Sequence, residues 1–145
     1  MSDPAAALHR LASALRSEDT PIATHVVDPQ GEPSLGMRAA GGPRGAQAPE
    51  EYALVVESVR EGYLLHYGQP RLLAGHDEDL ALLAGDYLYA LGIERLAALG
   101  DADAVRVLAD LISDCSRLHA EGREVEVPAL WERSADAVGG SATDG

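Results

Sequence analysis

The sequence predicts an all-α protein, a small helical bundle preceded by a flexible N-terminal linker. Three observations predict it. Apolar residues recur at helical spacing as Tyr52, Val55/Val56, Val59, Tyr63 and Tyr67, and again as Val105, Leu108, Leu111/Ile112, Cys115 and Leu118. Between these stripes runs Leu80–Ile93, whose single charge is Asp86. Each of the three segments opens on a proline or aspartate and closes on a glycine, the punctuation of helix ends.

Residues 1–17 read as a short helix, with Asp3 as cap, Pro4 in the first turn and Leu8, Leu11, Ala12 and Leu15 on one stripe. Residues 18–48 are punctuated by Pro21, Pro29, Pro33 and Pro43 and by glycines 31, 36, 41, 42 and 45. Such a composition is expected to bury too little surface to become ordered, which makes the segment a linker. Within it, Thr24–Val27 is a candidate short strand. The helical domain is expected over residues 49–138. Its first helix runs from Pro49 to Tyr67 and stops at Gly68, with Pro70 beyond. The second opens near Asp77, where Glu78 and Asp79 suit the positive end of the helix, and ends at Gly100. The third runs from Asp101 to Gly122. Arg123–Val127 alternates charged and apolar residues and reads as extended. Pro128 then begins a short helix carrying Trp131, and residues 139–145 are expected to form a disordered tail.

Composition narrows the function. The chain has 145 residues and a net charge of −13, with no basic cluster. A nucleic-acid partner needs a positive footprint, so that class is disfavoured, as is an anionic membrane surface. No run is long and apolar enough to span a bilayer, and no signal peptide opens the chain, so a cytoplasmic protein is expected. All 11 basic residues are arginine, which removes lysine-dependent chemistry such as Walker-type phosphate binding and Schiff-base formation. The single cysteine, Cys115, lies on an apolar stripe and reads as a small core residue.

Gly68-Gln69-Pro70, followed after a short loop by Ala84-Gly85-Asp86-Tyr87-Leu88, resembles the polyprenyl (trans-isoprenyl) diphosphate synthases. In that family an aspartate-rich helix ends in a basic pair and a Gly-x-Pro turn, and the next helix carries Leu-x-Gly-Asp-Tyr-Leu-Leu. The likeness covers about Tyr52–Gly122 and implies a fragment of the isoprenoid synthase fold. It also implies where catalysis would be lost. The first aspartate-rich motif, whose carboxylates hold Mg²⁺ against a diphosphate, would fall on Glu57, Ser58 and Glu61. Its basic pair would fall on His66 and Tyr67, and a second aspartate-rich helix has no counterpart.

The candidate residues follow from both readings. Glu57 and Glu61, at i and i+4, are a candidate Mg²⁺ pair, with a solvated helix face as the plainer alternative. His76-Asp77-Glu78-Asp79 has metal-capable side chains but is explained by a helix start. Asp86, alone in an apolar helix, is expected to be buried and held by a hydrogen bond, since an unpaired buried carboxylate is costly. His66 and His119 sit at the edges of their stripes. Gly85 and Gly92 would let another helix approach closely, so Gly85, Tyr87, Leu88, Leu91 and Gly92 are expected at an interface. Two functions result. One is a non-catalytic accessory or interaction subunit, a homodimer or a heteromer with a larger prenyl synthase. The alternative is a small ligand-binding or Mg-dependent isoprenyl diphosphate-utilising protein with Glu57, Glu61 and Asp86 lining an inter-helical cavity.

Overall fold

The computed structural model describes Asp3–Ser141, and its regular secondary structure is helical. Among the described residues there are six α-helices: α1 (Ala7–Ser17), α2 (Ser34–Ala40), α3 (Pro49–Tyr67), α4 (Glu78–Ala98), α5 (Ala102–Ala120) and α6 (Val127–Val138). None is long and apolar enough to cross a membrane.

Helix α3 lies at the centre. Tyr52–Val59 are all buried along it, as are Glu61, Gly62, Tyr63 and Leu65. A helix buried on nearly every side needs cover from several directions. Helices α1, α2 and α4 all pack on α3, while α5 packs on α4 and α6 and α6 returns onto α2. One apolar cluster joins Val55, Val59 and Tyr63 to Leu108, Leu111 and Trp131. A second joins Leu8, Leu11 and Leu15 of α1 to Leu54, Leu72 and Leu88. The stripe read from the sequence of α1 is the one that the structure buries.

The starts of α4 and α5 follow the capping logic. Asp77 accepts the Leu80 amide at 2.8 Å, and Asp101 accepts the Ala104 amide at 3.1 Å. Asp101 also receives the Tyr52 hydroxyl at 2.7 Å and Arg44 Nε at 2.9 Å. Burial pushes the Asp101 carboxyl up, but those three donors outweigh it and hold the group below its usual range. Its own burial, and then the same contact, push the Tyr52 phenol up to about 12. A depressed carboxylate stabilises the fold above its unfolded pKa and ceases to do so as pH falls through the folded value. The thermal stability gap between wild type and Asp101→Asn is therefore expected to be full at neutral pH and to close below pH ~4. A gap that stayed constant down to acid pH would show that charge at Asp101 does not matter.

Residues 18–48 depart most from expectation. They contain α2, two 3₁₀ turns and a set of buried residues that includes Ile22, Gly36, Ala39 and Ala40. The glycines that suggested flexibility instead permit backbone contact. A Cβ on Gly36 would lie 2.6 Å from the Ala53 carbonyl oxygen of α3. Gly42 and Gly45 sit against the backbone of Gly139 and Ala39 in the same way. Packing without side chains leaves no apolar stripe to read. Thr24–Val27 contributes one antiparallel bridge, Val26 to Leu73, rather than a strand. Arg123–Val127 is not extended: Glu124–Glu126 form a 3₁₀ turn that runs directly into α6. At the C terminus, Gly139 accepts hydrogen bonds from the Arg44 and Gly45 amides at 2.8 and 3.1 Å, so the expected tail is anchored there. Residues 142–145 lie outside the described residues.

Candidate functional site

Glu57 and Glu61 face the interior, one helical turn apart on α3, and are 1% and 0% exposed. Arg71, in the loop after α3, spans both. Its Nη1 lies 2.7 Å from Glu57 Oε1 and its Nε 3.0 Å from Glu61 Oε1. The other two oxygens are occupied as well. Glu57 Oε2 accepts the Gly36 amide at 2.7 Å, and Glu61 Oε2 accepts the Arg71 and Leu72 amides at 2.7 and 2.9 Å. The Arg71 loop is in turn held by hydrogen bonds of its backbone to Val27, Gln30 and His25.

This arrangement does not fit the Mg²⁺ site expected of the pair. Magnesium keeps several waters and takes free carboxylate oxygens, whereas here all four oxygens are bonded to protein and a guanidinium holds the position a cation would need. Among the described residues, no group of three or more His, Cys, Asp or Glu is placed to hold a metal ion. The intervening Ser58 is also structural, donating to the Leu88 carbonyl of α4 at 2.7 Å.

The α3–α4 contact is a glycine seam. A Cβ on Gly62 would meet the Tyr89 ring at 2.7 Å and the Gly85 carbonyl at 2.8 Å, and one on Gly92 would meet Val59 Cγ2 at 2.6 Å. Gly85 carries the His66 imidazole directly on its backbone. The expectation of close approach at Gly85 and Gly92 is met, but within the chain. Gly85, Leu88 and Gly92 are buried against α3, and Tyr87 and Leu91 are half-buried against the cluster that includes α1. These five residues do not form an outward-facing surface. Helix α1, together with Ile22 from the segment read as a linker, supplies the missing cover.

Asp86 is the clearest reversal. It is on the surface, 75% exposed, with Oδ1 3.3 Å from His66 Nε2 at an angle that forms no hydrogen bond. An apolar surround in the sequence does not bury a residue on the face of a helix that its neighbours leave uncovered. Asp86→Ala is therefore expected to change stability by no more than ~0.5 kcal/mol, as surface substitutions do. A melt showing a loss above ~1 kcal/mol would contradict this exposed placement.

The face that Asp86 shares is unusual for its apolar content. Leu82 and Leu83 are 56% and 53% exposed, and Ala90 and Ala97 are exposed beyond them. Beside Leu82 opens a cavity of about 260 Å³ lined by Leu65, His66, Glu78, Ala81 and Leu82. It is not the cavity expected from the sequence, since neither Glu57 nor Glu61 lines it. Nothing in the uniformly apolar pattern of α4 marks which of its sides is left uncovered.

The other reactive groups are engaged in the core. Burial pushes the Cys115 thiol up to about 11, which leaves little thiolate at neutral pH. His119 stacks on Tyr67 with ring centroids 4.0 Å apart and hydrogen-bonds the Tyr63 hydroxyl at 2.8 Å. Arg60 lies over the rings of both Tyr63 and Trp131, 5.0 Å from each centroid. The arginines elsewhere hold carboxylates: Arg95 on Glu51, Arg44 on Asp101, Arg38 on Asp136 and Arg123 on Glu126. Comparison of the chain with protein families, with curated proteins and with solved structures found no match.

Proposed function

We propose that this chain is a non-catalytic helical interaction subunit, similar to an isoprenyl diphosphate synthase fragment, that works by docking on a larger synthase. The observation that carries the reading is the use made of Glu57 and Glu61. The residues that would position metal and diphosphate in the family it resembles are here closed over by Arg71 and by three backbone amides. Stabilising a leaving diphosphate needs metal ions on open carboxylates. The exposed leucines of α4 support the docking half of the reading, because contiguous apolar surface marks interaction sites.

Two measurements on the purified chain test it. Incubated with Mg²⁺, an allylic diphosphate and labelled isopentenyl diphosphate, it is expected to incorporate no label. Mixed with a full-length trans-isoprenyl diphosphate synthase of the same organism, it is expected to give a complex by light scattering. Label incorporated by the chain alone would overturn the non-catalytic reading, and the absence of any complex would overturn the docking one.

A further inference from the structure

The outer face of α4 is apolar and uniformly acidic, and we propose that it docks an amphipathic helix of another protein whose apolar stripe is flanked by arginine or lysine. This deepens the reading of the chain as an interaction subunit and rests on it.

Three features define the partner. Leu82 and Leu83 stand more than half exposed, and the cavity beside Leu82 has apolar walls from Leu65 and Ala81, suited to a single inserted side chain. The charges on this face are all of one sign. Glu78 and Asp79 are exposed at its start, Asp86 lies one turn beyond Leu82, and Glu94 lies two turns further. Among the described residues, Glu78, Asp79 and Glu94 have no arginine within ion-pair distance, and the only group paired with Asp86 is His66. Arg38, Arg44, Arg71, Arg95 and Arg123 hold carboxylates elsewhere, so this acidity remains unanswered by them.

Charge complementarity decides between occupants. A second copy bound about a two-fold axis would set this face against itself, opposing Asp86 and its neighbours to like charges at the moment water is excluded. A basic amphipathic helix places leucines on Leu82 and Leu83 and cations on Glu78, Asp79 and Asp86. It is the familiar helix-on-apolar-face mode with a charged rim that selects the partner.

The test uses the full chain and three synthetic helical peptides of equal length that share a leucine stripe, flanked by arginine, glutamine or glutamate. The arginine peptide is expected to bind best, to shift the amide resonances of α4, and to weaken as salt rises to about 0.15 M. Leu82→Ser with Leu83→Ser, or Glu78→Gln with Asp86→Asn, is expected to weaken it about tenfold. Asp110→Asn, an exposed charge on α5, should leave binding unchanged. Binding indifferent to the leucines, or equally weakened by Asp110→Asn, would be generic attraction to an acidic protein and would overturn the inference. A dimer by light scattering that Leu83→Glu dissolves would overturn the basic partner while keeping α4 as a docking face. A monomer that binds none of the peptides would overturn both.

Discussion

Replacing Arg71 with alanine is expected to destabilise the protein by about 3–5 kcal/mol, the usual loss when one partner of a buried ion pair is removed. Glu57 and Glu61 would remain in the interior with only backbone amides for company. Domains of ordinary stability have about 5–15 kcal/mol in total, so much of the folded population is at risk. Arg71→Lys is expected to recover part of the loss, because an ammonium keeps the charge but cannot reach both carboxylates as a planar fork does. Denaturant midpoints of the two variants check this. Removing all three charges together should not restore stability. Glu57 and Glu61 also accept the amides of Gly36, Arg71 and Leu72, which apolar replacements would leave unpaired. An unchanged midpoint in Arg71→Ala would mean that the cluster carries no structural weight.

The second large effect concerns the segment read from sequence as a linker. A Cβ on Gly45 or on Gly139 would collide with the carbonyl oxygen of Ala39. Backbone cannot swing aside as a flexible side chain can, so each alanine is expected to cost at least about 1–3 kcal/mol. The same carbonyl is struck in both variants, so the double variant should lose less than the sum of the two. Hydrogen exchange gives the local readout. The Arg44 and Gly45 amides, which donate to the Gly139 carbonyl, should be protected in wild type and exchange quickly in either variant. Fast exchange of these amides in wild type would restore the linker reading.

These variants also mark where the sequence was legible. Helix α3 begins at Pro49 and ends at Tyr67 as its stripe and its glycine stop imply, and α4 and α5 begin beside Asp77 and Asp101 as their caps imply. Local signals were enough there, because caps and stops act within a turn. The α2 region failed because Gly36, Gly42 and Gly45 carry tertiary contacts made by backbone alone, for which a glycine in sequence looks the same as a glycine in a loop. Asp86 and Glu61 depart from expectation in opposite directions for a related reason. Each was weighed by its sequence neighbours, whereas its environment is set by which helix lies opposite. Arg71, the residue that unites the carboxylates, was not singled out; its position just past Pro70 was the available sign, ten residues from Glu61 and within reach of it across one turn.

The closure of α6 onto α2 has a consequence for how the chain reaches this shape. Helices α3 and α4 are neighbours in sequence and can pair as soon as both have left the ribosome. Arg38 must wait for Asp136, 98 residues later, and Gly42 and Gly45 must wait for Gly139. Until α6 has been made, the glycine-rich flank therefore has nothing to close against. Exposed apolar surface at such a stage is what chaperones meet and what aggregation exploits. Helix α6 acts as the clasp, and a lesion there should be felt as poor yield as well as a lower melting temperature.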